Sequence, residues 1–345
     1  AKITTSILFL LIIILFYFNT FINIINVKSN IKLKNMIKVS IIGAGRISDQ
    51  YIKVLKSFKN VKIVGIISKN QKSSELKSKK FNIPYFGRSI DAMMNKIKPN
   101  IVIVCVTPTE TMKVCLNLFK HNCISLIEKP LGLSLEDSKK ILSRAKIFKR
   151  KSFVALNRRY LNSTKLLLKK ISNDKSKRIV SIFDQEDTET AKKNGHNSLL
   201  IKKWMYANSI HLIDYFTFIC RGNVKKIDNQ KIKINNKQYF KSSKILFTSG
   251  DIGIYHAYWN RPSPWKISIS CNKSYFYMSP IEKLFEKNNK GQVISYKDSK
   301  YDKEYKPGFY FMVKQLLKVY TGQKNNLVSL EENIKTMDLI KKIYF

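Results

Sequence analysis

Ile37-Lys38-Val39-Ser40-Ile41-Ile42-Gly43-Ala44-Gly45-Arg46-Ile47-Ser48 is a short apolar run that breaks on two glycines and passes into residues of helical spacing through about Phe58. A strand that turns on glycine into a helix brings backbone N–H groups and a helix N-terminus to one point, an arrangement suited to a pyrophosphate. Gly43 and Gly45 allow the tight bend and the close approach, while Ser48 stands where the usual fingerprint has a third glycine. The stretch predicts a dinucleotide-binding turn with Gly43, Gly45, Arg46 and Ile47 at the phosphates. A plain glycine turn is the alternative, and the strand before it and the helix after it argue against that.

Downstream the alternation continues. Val61–Ile67 reads as a second strand ending at Ser68-Lys69-Asn70. A carboxylate often sits at this strand end to accept the ribose hydroxyls; none is present here, and Ser68 and Lys69 suit or tolerate a 2′-phosphate. The expected cofactor is therefore NAD(P), with the preference open. Residues 100–106 are almost entirely apolar, as a parallel strand buried on both faces requires. Thr107-Pro108 ends that run, a helix follows to about His121, and Cys123–Ile127 forms another strand closed by Glu128-Lys129-Pro130. A helix from Ser134 to about Phe148 leads to a last strand, Ser152–Asn157, followed by Arg158 and Arg159. This pattern predicts an α/β Rossmann domain, a doubly wound parallel sheet, over residues 36–157. Ligands of such sheets bind beyond the strand C-termini. The glycine turn, Thr107-Pro108, Glu128-Lys129-Pro130 and Asn157-Arg158-Arg159 all fall there.

After Arg178 the text changes to longer strand-like runs at Val224–Ile234, Lys244–Phe247, Gly253–Tyr258, Lys266–Ser270 and Tyr275–Met278. Residues 158–345 are thus expected to form an α+β domain with a largely antiparallel open sheet, closed by helices at about Phe309–Tyr320 and Ser329–Tyr344. A helix is expected over 207–220. In it Asn208, His211 and Asp214 recur every three residues and would line one polar stripe. His211, with an ordinary pKa of about 6.5, suits a general base, and Asp214 would orient its ring or bond the backbone. Asp184, Glu186, Asp187 and Glu189 read as a solvated acidic loop, and Arg159 as equally a surface charge or a companion of Arg158 at the site. His196 and His256 have no ligand-spaced partners, so no metal site is expected.

Composition sets further bounds. Lys and Arg number 64 against 23 Asp and Glu, a formal charge of +41. The lysines are spread along nearly the whole chain among Asn and Ile, whereas a nucleic-acid footprint should be clustered, so no nucleic-acid partner is expected. The positive field favours an anionic substrate, such as a phosphorylated or nucleotide-linked sugar. The five cysteines include no C-x-x-C pair, which points to free thiols in a reducing compartment and a cytoplasmic location. Residues 1–35 are a hydrophobic extension with no charge from Ile3 to Val27. It is expected to be an appendage or mis-assigned start, since Met36 directly precedes the first strand, or else a membrane anchor over 3–27.

Over about residues 36–345 these motifs, in this order, resemble the Gfo/Idh/MocA oxidoreductases, including glucose-fructose oxidoreductase and inositol dehydrogenase. The resemblance rests on the glycine turn, Thr107-Pro108, Glu128-Lys129-Pro130 and His211-Leu212-Ile213-Asp214. Trp259-Asn260-Arg261-Pro262, Trp265, Pro280-Ile281-Glu282-Lys283 and Lys306-Pro307-Gly308-Phe309 are similar to the branch acting on surface-polysaccharide sugars. It implies that Lys129 bonds the substrate hydroxyl beside the nicotinamide and shares in proton transfer, with His211 as its catalytic companion. It further implies that Ser68, Lys69, Thr107, Pro108, Glu128 and Asn157 line the cofactor, that Arg158, Asn208 and Asp214 meet the sugar, and that the chain is a homodimer or homotetramer. One position departs from the pattern. Many relatives carry a carboxylate four residues before the histidine, and here that residue is Ala207. A non-catalytic NAD(P)-binding regulator or scaffold of the same fold is the rival that Ala207 motivates.

Overall fold

The structure, a computed structural model, describes residues 36–345. The extension at 1–35, with its anchor at 3–27, lies outside the described residues. Among the described residues no helix is long and apolar enough to cross a membrane.

The first part alternates strictly: β1 (Ile37–Ile42), α1 (Arg46–Lys56), β2 (Val61–Ile67), α2 (Gln71–Phe81), β3 (Phe86–Gly87), α3 (Ile90–Ile97), β4 (Ile101–Val104), α4 (Pro108–Leu118), β5 (Ile124–Glu128), α5 (Leu135–Ile147) and β6 (Ser152–Ala155). The strands pair in parallel in the order β6-β5-β4-β1-β2-β3. β4 shows why: Ile-Val-Ile-Val is buried at all its positions, as a strand covered by helices on both faces must be. The order reverses between β1 and β4. Loops there leave toward opposite faces and open a crevice at the strand C-termini. Polar starts fix the helices locally; Ser134, for example, accepts the Asp137 N–H at 3.0 Å to begin α5.

A 3₁₀ turn at Asn157–Tyr160 leads to α6 (Asn162–Ile171), β7 (Ile179–Glu186), α7 (Thr188–Lys193), α8 (Ser198–Lys202), a π turn at Met205–Ser209 and α9 (Ile210–Ile219). Then come β8 (Val224–Lys233), β9 (Tyr239–Phe247), β10 (Ile252–Trp259), β11 (Lys266–Ser270), β12 (Ser274–Met278), β13 (Leu284–Asn288) and β14 (Val293–Ser295). They form one sheet in the order β14-β13-β12-β11-β7-β10-β9-β8, antiparallel except where β7 meets β10. β7 and β10 alternate buried with half-exposed residues, so one face packs on helices and the other stays open.

Two expectations change here. β7 runs on to Glu186, so Asp184 and Glu186 are fully buried strand residues and not a solvated loop. The helix expected over 207–220 begins within a π turn, whose wider winding takes Asn208 out of the three-residue stripe while His211 and Asp214 stay together in α9.

The chain ends with α10 (Lys300–Glu304), α11 (Phe309–Tyr320), β15 (Val328–Ser329) and α12 (Leu330–Tyr344). It recrosses the 157/158 division to reach the first sheet. β15 pairs antiparallel with β6, and α11 buries Phe309, Met312 and Leu316 in one core with Val39, Tyr51 and Leu55.

Candidate active site

The crevice between β1 and β4 begins at Gly43, whose φ is +109°. A Cβ there would lie 2.4 Å from the Cys105 carbonyl oxygen, so the fold itself demands glycine. Gly45 differs: a Cβ would meet nothing within 4 Å. No internal contact asks for its bare backbone, which fits close approach by a pyrophosphate from outside. Gly45 is also the N-cap of α1, with no side-chain cap bond, so the first amides of that helix are available to an anion. Ser48 accounts for the absent third glycine by turning inward, where its buried Oγ donates to the Gly45 carbonyl at 2.7 Å.

Around that turn, Arg46 is exposed and Ile47 half-buried at the head of α1. Lys69, 86% exposed at the end of β2, reaches Glu110 at 3.4 Å, and the neighbouring Ser68 amide is held by the Gly87 carbonyl at 3.0 Å. Thr107 and Pro108 start α4 as N-cap and first residue. These residues line one edge and fit a dinucleotide, with the glycine turn at the pyrophosphate and the end of β2 at the adenosine ribose.

β5 delivers the next groups. Glu128 Oε1 accepts the Tyr51 hydroxyl at 2.6 Å, anchoring the strand end to α1. Lys129 Nζ donates to the Ala207 carbonyl oxygen at 2.7 Å and so ties the end of β5 to the π turn before α9. Enclosure first, then Lys306 and Arg158, lower its pKa to about 8 against the opposing pull of Glu128. His211 is 8% exposed. Burial, then the cations Lys129, Arg158 and Lys306, hold its pKa well below the ordinary histidine range. The imidazole is thus neutral at neutral pH and able to accept a proton; its buried Nδ1 has no partner, and its ring lies 6.2 Å from that of Trp265. Arg158 rests at 5.8 Å over the same Trp265 ring while Nη1 donates to Glu282 at 2.9 Å.

Other expected site residues serve elsewhere. Asp214 receives Arg159 on both oxygens, at 2.7 and 2.8 Å, and the Thr336 hydroxyl at 2.7 Å. Both of its carboxylate oxygens are thus engaged by Arg159 and Thr336 rather than by His211. Arg159 is accordingly no surface charge: burial opposes its ionisation, and Asp214 with Glu332 outweighs that and keeps its pKa high. Asn208 spends its amide on Glu186, donating to Oε2 at 2.9 Å. Asn157 donates to the Pro307 carbonyl at 2.9 Å and holds the loop that carries Lys306. Lys306, Glu186 and Asp184 were missed as site groups. The alternation Val180, Ile182, Asp184, Glu186 was the available signal, since it places both carboxylates on the apolar face of a strand.

Comparisons with known proteins follow the same lines. Residues 37–156 match the Gfo/Idh/MocA family model, described as an oxidoreductase family with an NAD-binding Rossmann fold. The chain is 26% identical over 229 residues to glucose-6-phosphate 3-dehydrogenase of Bacillus subtilis strain 168, and the match spans 64% of each protein. A dehydrogenase from Chromobacterium violaceum shares the fold with a TM-score of 0.77 at 14% identity, over 90% of this chain and 94% of that one. The WlbA dehydrogenase from Bordetella pertussis, solved with NADH and UDP-GlcNAcA, does so with a TM-score of 0.73 at 13% identity, over 90% and 95%.

Proposed function

From a chain whose residues 37–156 match the Gfo/Idh/MocA oxidoreductase family, we propose an enzyme that transfers hydride between NAD(P) and a hydroxyl-bearing carbon of a sugar. The bound nicotinamide supplies the hydride acceptor in one direction and the donor in the other. The chain itself manages the proton. His211, neutral and enclosed, takes the hydroxyl proton as the carbon becomes a carbonyl, and returns it in the reverse reaction. Lys129 bonds the same substrate oxygen and stabilises the negative charge that builds on it. The observation that carries this reading is the bond from Lys129, at the end of β5, to the Ala207 carbonyl in the turn that leads into α9 and His211. The Lys129 cation is in turn the charge that most disfavours a protonated His211.

Arg158 and Lys306 make that space cationic, which favours a phosphorylated or nucleotide-linked sugar. The names of the relatives point the same way: one acts on glucose 6-phosphate, and another was solved with a UDP-sugar acid. Absorbance of reduced nicotinamide with glucose 6-phosphate and a panel of UDP-sugars tests this. Turnover that falls steeply in Lys129→Ala and His211→Ala supports it; nucleotide binding without hydride transfer to any of these sugars favours a regulatory scaffold.

The open face of the second sheet also suits a second copy of the chain. Phe183 and His256 meet there at 5.4 Å, and Tyr277 and Phe285 stack at 4.9 Å, in a half-exposed aromatic layer. A homodimer or homotetramer built on this face, working in a reducing cytoplasm that keeps the five cysteines free, completes the reading. Light scattering on the purified protein gives the copy number.

A further inference from the structure

β7 places Asp184 and Glu186 two residues apart on one face, both with no exposed surface. Glu186 accepts the Ser209 hydroxyl on one oxygen and Asn208 Nδ2 at 2.9 Å on the other. Asp184 Oδ2 accepts the Tyr255 hydroxyl at 2.7 Å, and that hydroxyl lies 2.8 Å from the one on Tyr344. Asp184 Oδ1 remains: it is buried, and no donor reaches it. The buried ion pairs, Arg159–Asp214 and Arg221–Asp251, lie elsewhere. An unmatched carboxylate oxygen in an apolar wall is costly unless a proton fills the gap, and the neighbouring group able to hold that proton is another carboxyl.

We propose that Asp184 and Glu186 share one proton, held by Glu186 and donated to Asp184 Oδ1, and that this singly charged dyad positions the turn presenting Ala207 to Lys129. Glu186 grips Asn208 and Ser209, the two residues after Ala207, and the Ala207 carbonyl in turn receives Lys129 Nζ. The carboxylate absent at position 207 is thereby replaced from the sheet beneath it. Two like charges this close in a buried site do not both ionise. Burial raises both groups, Asp184 to about 6 and Glu186 further, with the Asp184 charge adding to the latter. The groups facing the dyad are Tyr255 from β10, Tyr344 from α12, Tyr239 from β9 and Lys129 from β5; burial keeps the three tyrosines neutral at neutral pH. Lys129 is therefore the cation that feels the dyad's remaining charge, and Glu186 is a positioning residue for it.

The kinetic half of the test rests on the proposed hydride transfer; the spectroscopic half does not. Infrared spectra of the full chain at pH 7 should show the C=O stretch of a buried protonated carboxyl, lost in Glu186→Gln. In Asp184→Asn/Glu186→Gln, which removes the charge, the alkaline limb of kcat/KM set by Lys129 should move down by about one pH unit, with NAD(P) affinity unchanged. A wild-type spectrum without that band overturns the shared proton, even if the double variant does not fold. A folded double variant with an unmoved limb overturns the positioning role. If no sugar turns over, the hydride-transfer reading fails, while the infrared band still decides whether the proton is shared.

Discussion

Lys129 Nζ lies 2.7 Å from the carbonyl oxygen of Ala207, so the ammonium at the end of β5 is oriented by the backbone of the turn that precedes His211. A main-chain oxygen does not titrate, and the pH behaviour of the pair therefore belongs to the lysine and the imidazole. His211 must be neutral to take a proton and its pKa is depressed, so activity should rise with pH through a limb lying below about 6.5. Lys129 must be charged, so activity should fall above about 8. A kcat/KM profile measured with the true sugar checks both limbs. His211→Ala should erase the acidic one and slow turnover by a factor of about 10² to 10⁴.

Gly43 and Gly45 should respond differently to alanine. Gly43→Ala drives a methyl into the Cys105 carbonyl at a backbone angle that alanine avoids, so the melting temperature should fall. Gly45→Ala meets no atom of the protein and should leave melting nearly unchanged, yet weaken NAD(P) binding at least tenfold. Calorimetry and nucleotide titration of the two variants separate the roles. Equal losses of stability would contradict this account.

Asp214→Ala should damage the fold before the chemistry. It strands the Arg159 guanidinium, whose side chain is 12% exposed, and the loss should be about 3–5 kcal/mol. Denaturant unfolding measures it. A stable variant with selectively reduced turnover would return Asp214 to the substrate.

The end of β2 predicts cofactor choice. With no carboxylate to bond the ribose and with Lys69 86% exposed there, NADP should bind at least as well as NAD. Lys69→Glu should weaken NADP several-fold and leave NAD little changed in a direct titration.

Much of this was legible in the residues. β2, β11 and α11 fall where apolar runs and period place them, because each is bounded by polar or turn residues and buried on a defined face. Lys129 was legible because a strand C-terminus between Glu128 and Pro130 is a distinctive place for a lysine. Asp214 was not. Its three-residue spacing from His211 holds within α9, but its partners Arg159 and Thr336 come from distant parts of the chain, and such tertiary pairing leaves no local signal. Glu186 itself was hidden by its chemistry. Acidic residues normally mark water, and only the alternation of β7 shows these to be inside.

The return of the chain to the first sheet has a mechanical consequence. Because α12 leaves β15, lies along α5 and ends with Tyr344 bonded to Tyr255, the last helix is fastened to both halves of the molecule. Two bodies joined by one strap can swing, whereas two bodies also clamped by a crossbar hold their separation. The crevice between the two halves is thus braced from the carboxyl end, and trimming even the final turn of α12 should loosen the geometry around Lys129 and His211.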